Sequence, residues 1–441
     1  MLNFKDKLKN KKILIYGFGK TGRSSFNFLK KNNEITIYDD NHRILSKKIK
    51  KYYFLNKKSI KKKFYEHIVI SPGIDINKCN LKSFLFRNKN KIITDLDLFY
   101  FKNIKNIKIT ITGTNGKSTT SKLLYEILKR HKKNVKLIGN IGSPVLNQKA
   151  KNSKTIFVVE ASSYQIEYSK YYKTDYSMIL NISPDHLERH KTMKNYVKAK
   201  FKLIKNQKKN GYAYITKDNK YLKQILLNTK KKPKIIFVNF RNIKNIKNSI
   251  TNPYFKKINN LQNLSFIFEI SKKLGLSKDK IFRSLNSFRG LKFRQQIIYE
   301  NKNLSIVNDS KSTSFSSSVN LLKSYNNIYW IVGGLYKKGD NFNLKKKYHK
   351  FIKVYIYGKN RNNFINQFKN KVKYKVFKNI KEVLKEIISD IRYGNFNKNK
   401  IEILFSPSAA SFDSFKNFEE RGMYFNYLIK KLNFIKNVNA K

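Results

Sequence analysis

Residues Gly113-Thr114-Asn115-Gly116-Lys117-Ser118-Thr119 bring together the residue types that hold a polyphosphate. Gly113 and Gly116 permit a tight loop whose backbone N–H groups point inward at an anion. Lys117 adds a positive charge for the outer phosphates, and Ser118 or Thr119 offers a hydroxyl to Mg²⁺. The usual pattern has a further glycine five residues before Gly116, where this chain has Ile111. The alternative is a glycine-rich turn that only caps a structural helix. A second grouping starts at Glu160, which closes the apolar run 155–159 and opens Glu160-Ala-Ser-Ser-Tyr-Gln165. A carboxylate at a strand end beside a phosphate loop can hold Mg²⁺ directly or through water. In Asn181-Ile-Ser-Pro-Asp-His186, His186 with Asp185 could ligate metal or orient a carboxylate, while Pro184 and Asp185 equally suit a helix start. His190, four residues on, reads as a structural residue of that helix start rather than a ligand. Three further polar loops, 308–314, 333–340 and 406–418, each follow an apolar run, and their lysines and hydroxyls suit an acidic substrate.

These groups need elements to place them. The alternating run Ile107–Ile111 predicts a strand, and Leu123, Leu124, Ile127 and Leu128 predict a helix over 120–130. The phosphate loop would then open a helix whose N-terminus favours anions. Strands are predicted at 12–16, 34–38 and 68–70, then at 107–112, 155–160, 177–182 and 212–216, and finally at 304–308, 328–332, 353–357 and 401–405. Gly17-Phe-Gly-Lys-Thr-Gly22 after the first strand, with Asp39 about 20 residues on, has the form of a dinucleotide fingerprint. By itself it fits a nicotinamide cofactor or the diphosphate of a nucleotide-linked substrate. Alternation of strands and helices implies α/β architecture in three domains. These are a Rossmann-like N-terminal domain (1–94), a central P-loop ATPase-type parallel sheet (95–291) and a C-terminal Rossmann-like α/β domain (292–441). The Asn/Lys-rich stretches 241–249 and 359–371 read as solvated loops.

Composition narrows the classes. No apolar run approaches the roughly 20 residues that span a bilayer. No signal peptide is evident, and a cytoplasmic location is expected. The single cysteine, Cys79, excludes an internal disulfide and a cysteine-based zinc site. The formal charge of +69 invites a polyanion-binding reading. Yet the lysines spread over the whole chain, and Lys, Asn, Ile, Phe and Tyr, all abundant, have A/T-rich codons. Drifted composition therefore accounts for the charge better than a dedicated nucleic-acid face does. With only 17 Gly and 6 Pro, their clustering in short polar turns marks the places where the backbone has special tasks.

Taken in order along nearly the whole chain, these segments resemble the Mur ligases, and within them the branch that adds D-glutamate. Thr112 to Thr119 is similar to the family's ATP loop, and Gly139-Asn-Ile-Gly142, Glu160–Gln165 and Asn181–His186 to its metal and substrate segments. Asn308-Asp-Ser-Lys-Ser-Thr313 and the run from Ser406 to Gly422 point to the D-glutamate branch, because other members typically carry a histidine where Asp309-Ser310-Lys311 stands. The resemblance implies an ATP-dependent ligase acting on UDP-N-acetylmuramoyl-L-alanine and D-glutamate through an acyl phosphate. It implies that Gly113, Thr114, Asn115, Gly116, Lys117, Ser118 and Thr119 bind ATP, with Asn260, Arg294, Asp309 and Lys311. Ser118, Glu160, His186 and Lys200 would hold Mg²⁺ at two sites, Lys200 as a carbamate. Lys117, His186 and Lys200 would carry the catalysis. Thr21, Asp39, Ser71, Pro72 and Gly73 would hold the UDP portion, which settles the fingerprint against a nicotinamide. Asn140, Ser162 and Gln165 would meet substrate, and Thr313, Lys337, Ser411 and Phe418 would hold D-glutamate. No specific nucleic acid, no membrane span and a monomer are expected.

The chain departs from the family at two points. A histidine expected before Asn260 is Asn259, and of a Pro-His-Arg-x-Glu run only Arg294 remains. Those departures touch the adenine side and the hinge. The rivals are another Mur-type or folylpolyglutamate-type amide ligase, a basic ATP-dependent nucleic-acid protein, and a relic that no longer catalyses.

Overall fold

The computed structural model describes residues 8–216, 219–227, 234–240, 249–255, 258–337, 339–393 and 400–439. They build three sheets in two compact units, residues 1–288 and 289–441. The first sheet holds β1 (Lys12–Tyr16), β2 (Glu34–Tyr38), β3 (His67–Ile70) and β4 (Ile92–Ile93), all parallel in the order β2-β1-β3-β4. The second holds β5 (Ile107–Thr112), β6 (Val135–Gly139), β7 (Ile156–Glu160), β8 (Tyr176–Ile179), β9 (Tyr212–Thr216) and β10 (Lys234–Val238). Its order is β10-β9-β8-β5-β7-β6, and every pair is parallel. Ile109, Ile111, Phe157, Val158 and Val159 are fully buried, as strands covered by helices on both faces must be.

The first two sheets share a core. The helix Asp95–Lys102 lies between them and contributes Leu96, Leu98, Phe99 and Phe101 to a cluster that includes Ile13, Ile15 and Ile37 from one sheet and Phe157 and Val159 from the other. Phe99 and Phe157 meet edge to face, with centroids 4.9 Å apart. A buried aromatic of this kind contributes roughly 1.5–3 kcal/mol by area alone. Thr94 and Asp97 form the capping box of this helix. The same Asp97 carboxylate accepts from the amides of Lys170, Tyr171 and Tyr172 at 2.7–2.9 Å, which pins the loop before β8 to the inter-sheet helix.

The third sheet holds β11 (Gln296–Glu300), β12 (Leu304–Asn308), β13 (Ile328–Gly333), β14 (Ile352–Tyr357), β15 (Lys373–Phe377) and β16 (Ile401–Phe405) in the order β11-β12-β16-β13-β14-β15. Only β11 runs antiparallel, at one edge. The other edge, β15, is exposed along most of its length and carries Lys373 and Lys375, a charged edge that resists pairing with another chain.

Several expectations need correction. Residues 359–371 are not simply a loop. They contain the helix Arg361–Phe368, whose Phe364 and Phe368, one turn apart, are buried under a polar surface. The strand expected at 177–182 ends at Ile179, because Leu180 and Asn181 turn to brace the phosphate loop. The helix expected from 120 begins at Lys117. β4, β6, β10, β11 and β15 were not anticipated. Of the stretch 241–249, residues 241–248 lie outside the described residues.

Candidate active site

The phosphate loop joins β5 to the helix Lys117–Arg130. Gly116 has a φ of +81°, and a Cβ there would lie 2.5 Å from the Asn263 side chain, so neither backbone nor space admits a larger residue. The loop is braced from the β8 side. Thr114 N donates to Asn181 O at 3.0 Å and Asn115 N to Asn181 Oδ1 at 2.8 Å. The Thr114 hydroxyl lies 3.0 Å from Tyr196 OH. Lys117 Nζ donates to the carbonyls of Gly113 and Thr114 at 2.9 and 2.7 Å, which holds its charge over the loop's own rim. Ser118 and Thr119 are buried in the first helical turn.

Glu160 ends β7, beside Ile111 of β5 and Gly139 of β6. It is 1% exposed. Asn140 Nδ2 donates to its Oε1 at 3.0 Å, but Oε2 is buried with no hydrogen-bond partner among the described residues. A buried carboxylate oxygen left without a donor asks for a counter-charge. The donor set, carboxylate and hydroxyl oxygens near a phosphate loop, suits Mg²⁺. Among the described residues no three His, Cys, Asp or Glu side chains converge as a ready-made metal site, so any cation held here would lean on the nucleotide and on groups of other types.

Lys200 is such a group. It lies on the helix Met193–Lys205 and is 1% exposed. Its Nζ donates to Gly113 O at 2.9 Å and sits 4.6 Å from the Tyr196 ring centroid. Burial, and then the charge of Lys117, hold its ammonium well below the usual lysine range, while Asp185 and Glu160 pull weakly the other way. The shift favours the neutral amine, the form that can act as a nucleophile, over the ammonium.

His186 sits in the left-handed region (φ +55°) just before the short helix Leu187–His190. Its Nδ1 lies 2.9 Å from Tyr164 OH, and its Nε2 3.3 Å from Asp185 Oδ2. His190 is a buried neighbour, bonded to Ser163 Oγ at 3.0 Å, with its pKa pushed down to about 4 by desolvation and by Arg189. Ser162 and Gln165 cap the helix Ser163–Glu167 reciprocally, so both have a structural task besides any contact with substrate.

In the first sheet, the ends of β1 and β3 meet. Gly17 has a φ of +91°, and a Cβ there would lie 2.7 Å from Ser71 Cβ. Ser71 Oγ donates to Gly17 O at 2.6 Å. Asp39 is nearly buried and accepts from Phe18 N at 2.6 Å and Asn41 N at 2.8 Å, so it stiffens the glycine turn. Thr21 and Pro72 are half-buried and Gly73 is exposed, all around this crevice.

The second unit gathers its polar loops at the C-terminal ends of β12, β13 and β16, where ligands bind in open α/β sheets. Asp309 accepts from Gln295 N at 3.0 Å and from Ser406 Oγ at 3.1 Å. The Lys311 ammonium lies 4.2 Å and the Arg294 guanidinium 5.8 Å from the Phe418 ring centroid, so these three residues share one face. Ser411 is buried, Lys337 half-buried and Thr313 exposed. The side chain of Asn260 lies outside the described residues.

Sequence reasoning gave no role to Arg421, which is fully buried. Its guanidinium donates to Ser310 Oγ at 3.1 Å, Ser310 O at 2.7 Å, Ala409 O at 2.9 Å and Gly333 O at 3.4 Å. One side chain thus ties together the three loops read as the amino-acid pocket. A lone arginine inside an otherwise acidic and aromatic helix start was the available signal. Asn181, Asn263, Tyr164 and Tyr196 were likewise given no individual role, since bracing of a loop leaves no trace in spacing.

The Mur ligase middle domain model matches residues 111–274. Two ligases named UDP-N-acetylmuramoylalanine–D-glutamate ligase, from Rickettsia bellii and Rickettsia prowazekii, are each 34% identical to this chain over 96% of it and 98% of theirs. A ligase of the same name from Caldicellulosiruptor bescii is 31% identical, with 96% and 98% covered. The MurF ligase of Thermotoga maritima in complex with ADP shares the fold, with a TM-score of 0.56 at 16% identity over 98% of each chain. The UDP-N-acetylmuramate–alanine ligase of the same organism gives 0.54 at 15% identity, over 96% of this chain and all of the other. The architecture is that of the three-domain Mur ligases. The chain belongs to the Mur ligase family, in its UDP-N-acetylmuramoylalanine–D-glutamate ligase branch.

Proposed function

We propose that this protein joins D-glutamate to UDP-N-acetylmuramoyl-L-alanine with ATP as phosphoryl donor, in peptidoglycan precursor synthesis. The reading is carried by one juxtaposition: a phosphate loop, a buried carboxylate with an orphan oxygen and a buried lysine bonded to that loop stand together in a chain that aligns nearly end to end with ligases named for this reaction.

The alanyl carboxylate attacks the γ-phosphorus of ATP. The bond to the ADP oxygen breaks, and an acyl phosphate forms. The D-glutamate amine then attacks the acyl carbon, gives up a proton, and phosphate leaves. The difficulty is bringing two anions together. Lys117 and the amides of Gly113 to Lys117 offset charge on the transferred group. Ser118, Glu160, His186 and Lys200 would hold Mg²⁺, which when bound supplies further counter-charge. Lys200 suits that task as a carbamate: its ammonium first gives up a proton, the free amine adds to CO₂ with formation of the N–C bond and loss of a second proton, and a cationic side chain becomes an anion. The crevice at Gly17, Thr21, Asp39 and Ser71–Gly73 takes the UDP end. Asn140, Ser162 and Gln165 line the path between. Arg294, Asp309 and Lys311 meet the nucleotide, with Asn260. Thr313, Lys337, Ser411 and Phe418 hold D-glutamate. We read the protein as a cytoplasmic monomer; among the described residues no helix is long and apolar enough to cross a membrane.

The test is ADP release by purified protein. ADP is expected only when ATP, UDP-N-acetylmuramoyl-L-alanine and D-glutamate are all present. Preference for another amino acid, or hydrolysis driven by DNA or RNA at moderate salt, would overturn the reading.

A further inference from the structure

Arg189 stands between two regions to which the proposed reaction gives different tasks. It is 8% exposed. Its guanidinium lies 4.9 Å from the Tyr164 ring centroid and 5.5 Å from that of Tyr168. Its Nη2 pairs with Glu167 Oε2 at 3.1 Å, and its Nε lies 4.0 Å from Asp75 Oδ1. Asp75 belongs to the loop after β3, the loop that begins with Ser71-Pro72-Gly73. Tyr164, in turn, bonds His186 Nδ1 through its hydroxyl at 2.9 Å. A second tie runs parallel: Lys78 Nζ of the β3 loop donates to Glu188 O at 3.4 Å. The Asp75–Arg189 link is charge attraction rather than a hydrogen bond, since Arg189 Nε is buried with no hydrogen-bond partner among the described residues; through it a chain of contacts leads from the β3 loop by way of Arg189 and Tyr164 to His186.

The chemistry of the path favours orientation. Stacking on two tyrosines fixes the plane of the guanidinium, the hydrogen bond to Glu167 fixes its rotation, and Asp75 adds a longer-range pull toward the β3 loop. The Tyr164 ring cannot turn without leaving Arg189, and His186 is held by the Tyr164 hydroxyl. His186 also sits in the left-handed region, a conformation that persists only where its surroundings impose it. Arg189 faces no phosphate-loop group in this arrangement, so its effect on the reaction passes through other residues.

We propose that Arg189 is a positioning residue that couples the loop gripping the UDP end of the substrate to the orientation of His186. The inference rests on the ligase reading for the tasks of the two ends. Arg189→Gln and Asp75→Asn test it, singly and together. Asp75→Asn removes the charge but keeps the oxygen that accepts from Asn77 N at 2.9 Å, so the loop turn survives. The expected result for Arg189→Gln is a fall in kcat of about 10–100-fold with the KM for D-glutamate unchanged. Arg189→Lys should rescue little, since an ammonium does not stack as a planar fork. Asp75→Asn should lower kcat less, and the double variant should be no worse than Arg189→Gln alone. If Arg189→Gln does not fold, the kcat of Asp75→Asn decides. Multiplicative losses, a kcat left intact, or a D-glutamate KM that rises in step would overturn the proposal. A readout independent of ligation separates it from the parent reading. The imidazole ¹⁵N signals of His186 should move when UDP-N-acetylmuramoyl-L-alanine alone is added, and move less in Asp75→Asn. A wild-type protein that shows this shift but forms no product would sink the ligase reading and keep the coupling. One that forms product without the shift would do the reverse, and one that does neither would sink both.

Discussion

Each unit of this protein buries a long cation beside its proposed chemistry, Lys200 in the first and Arg421 in the second, and these two are treated oppositely. Lys200 in the first unit has a single carbonyl within 3 Å, at Gly113, and lies near another lysine. Arg421 in the second meets three carbonyls and a hydroxyl. A guanidinium keeps its charge in proteins and presents a rigid fork of donors, so it can serve as a permanent tie between loops. Burial beside another lysine pushes the Lys200 pKa down, which favours the reactive amine over the ammonium. The same need, a positive side chain in a dry interior, yields a scaffold in one place and a modifiable group in the other. Side-chain type, more than the number of oxygens in reach, decides which: Lys108 is fully buried and donates to the carbonyls of Asn103, Ile104 and Asn106, yet its pKa is still pushed down to about 7.

The sharpest way to break this contrast is to make both residues apolar. Lys200→Met should lower ligation by on the order of 10²–10³-fold. Its unfolding midpoint in urea should stay level or rise, since an apolar isostere fits a site that offers little to a charge. Arg421→Met should instead lower stability by roughly 3–5 kcal/mol, because it leaves the carbonyls of Ser310 and Ala409 buried and unbonded. Equal stability losses in the two variants would end the distinction. Smaller effects are expected at the glycines beside each cation. Gly116→Ala combines left-handed strain of about 1–2 kcal/mol with a clash against Asn263. Gly422→Ala regains about 1 kcal/mol of helix propensity but sets a Cβ 2.4 Å from the buried Phe293 ring, so it too should lower the midpoint of thermal unfolding. The mildest effect concerns pH. Burial holds the His190 pKa at about 4, below the ordinary value near 6.5. The unfolded chain therefore takes up the proton first, and stability present above pH 6.5 is lost as pH falls toward 4. His190→Gln should flatten that part of the pH–stability curve, and an unchanged slope would place its origin elsewhere.

Most of the frame was legible in the sequence. Strands such as Ile107–Thr112 and Ile401–Phe405 are short apolar runs bounded by glycine or polar turns, a pattern that local chemistry writes openly. The strand-end loops were legible for the same reason. Spacing did not single out Lys200, since Lys198, Lys202 and Lys205 of the same helix look alike; only the resemblance to the Mur ligases named it, and tertiary packing is what buries it completely. Composition also hid the helix Arg361–Phe368, since the asparagines there mask the Phe364–Phe368 stripe. The antiparallel edge β11 and the exposed edge β15 are half-solvated strands whose pairing depends on neighbours far along the chain. Arg421 could not be read as a tie until its three loops were seen to converge.

The inter-sheet helix at Asp95–Lys102 has a bearing on how such a protein can be rebuilt. Because Phe99 and its neighbours belong equally to the sheets on either side, a recombination joint near residue 94 would tear open a common interior and leave both halves with raw apolar faces. A joint near residue 288, where the two compact units divide, spares both interiors. Chimaeras between relatives are best cut there, so that each interior is inherited whole.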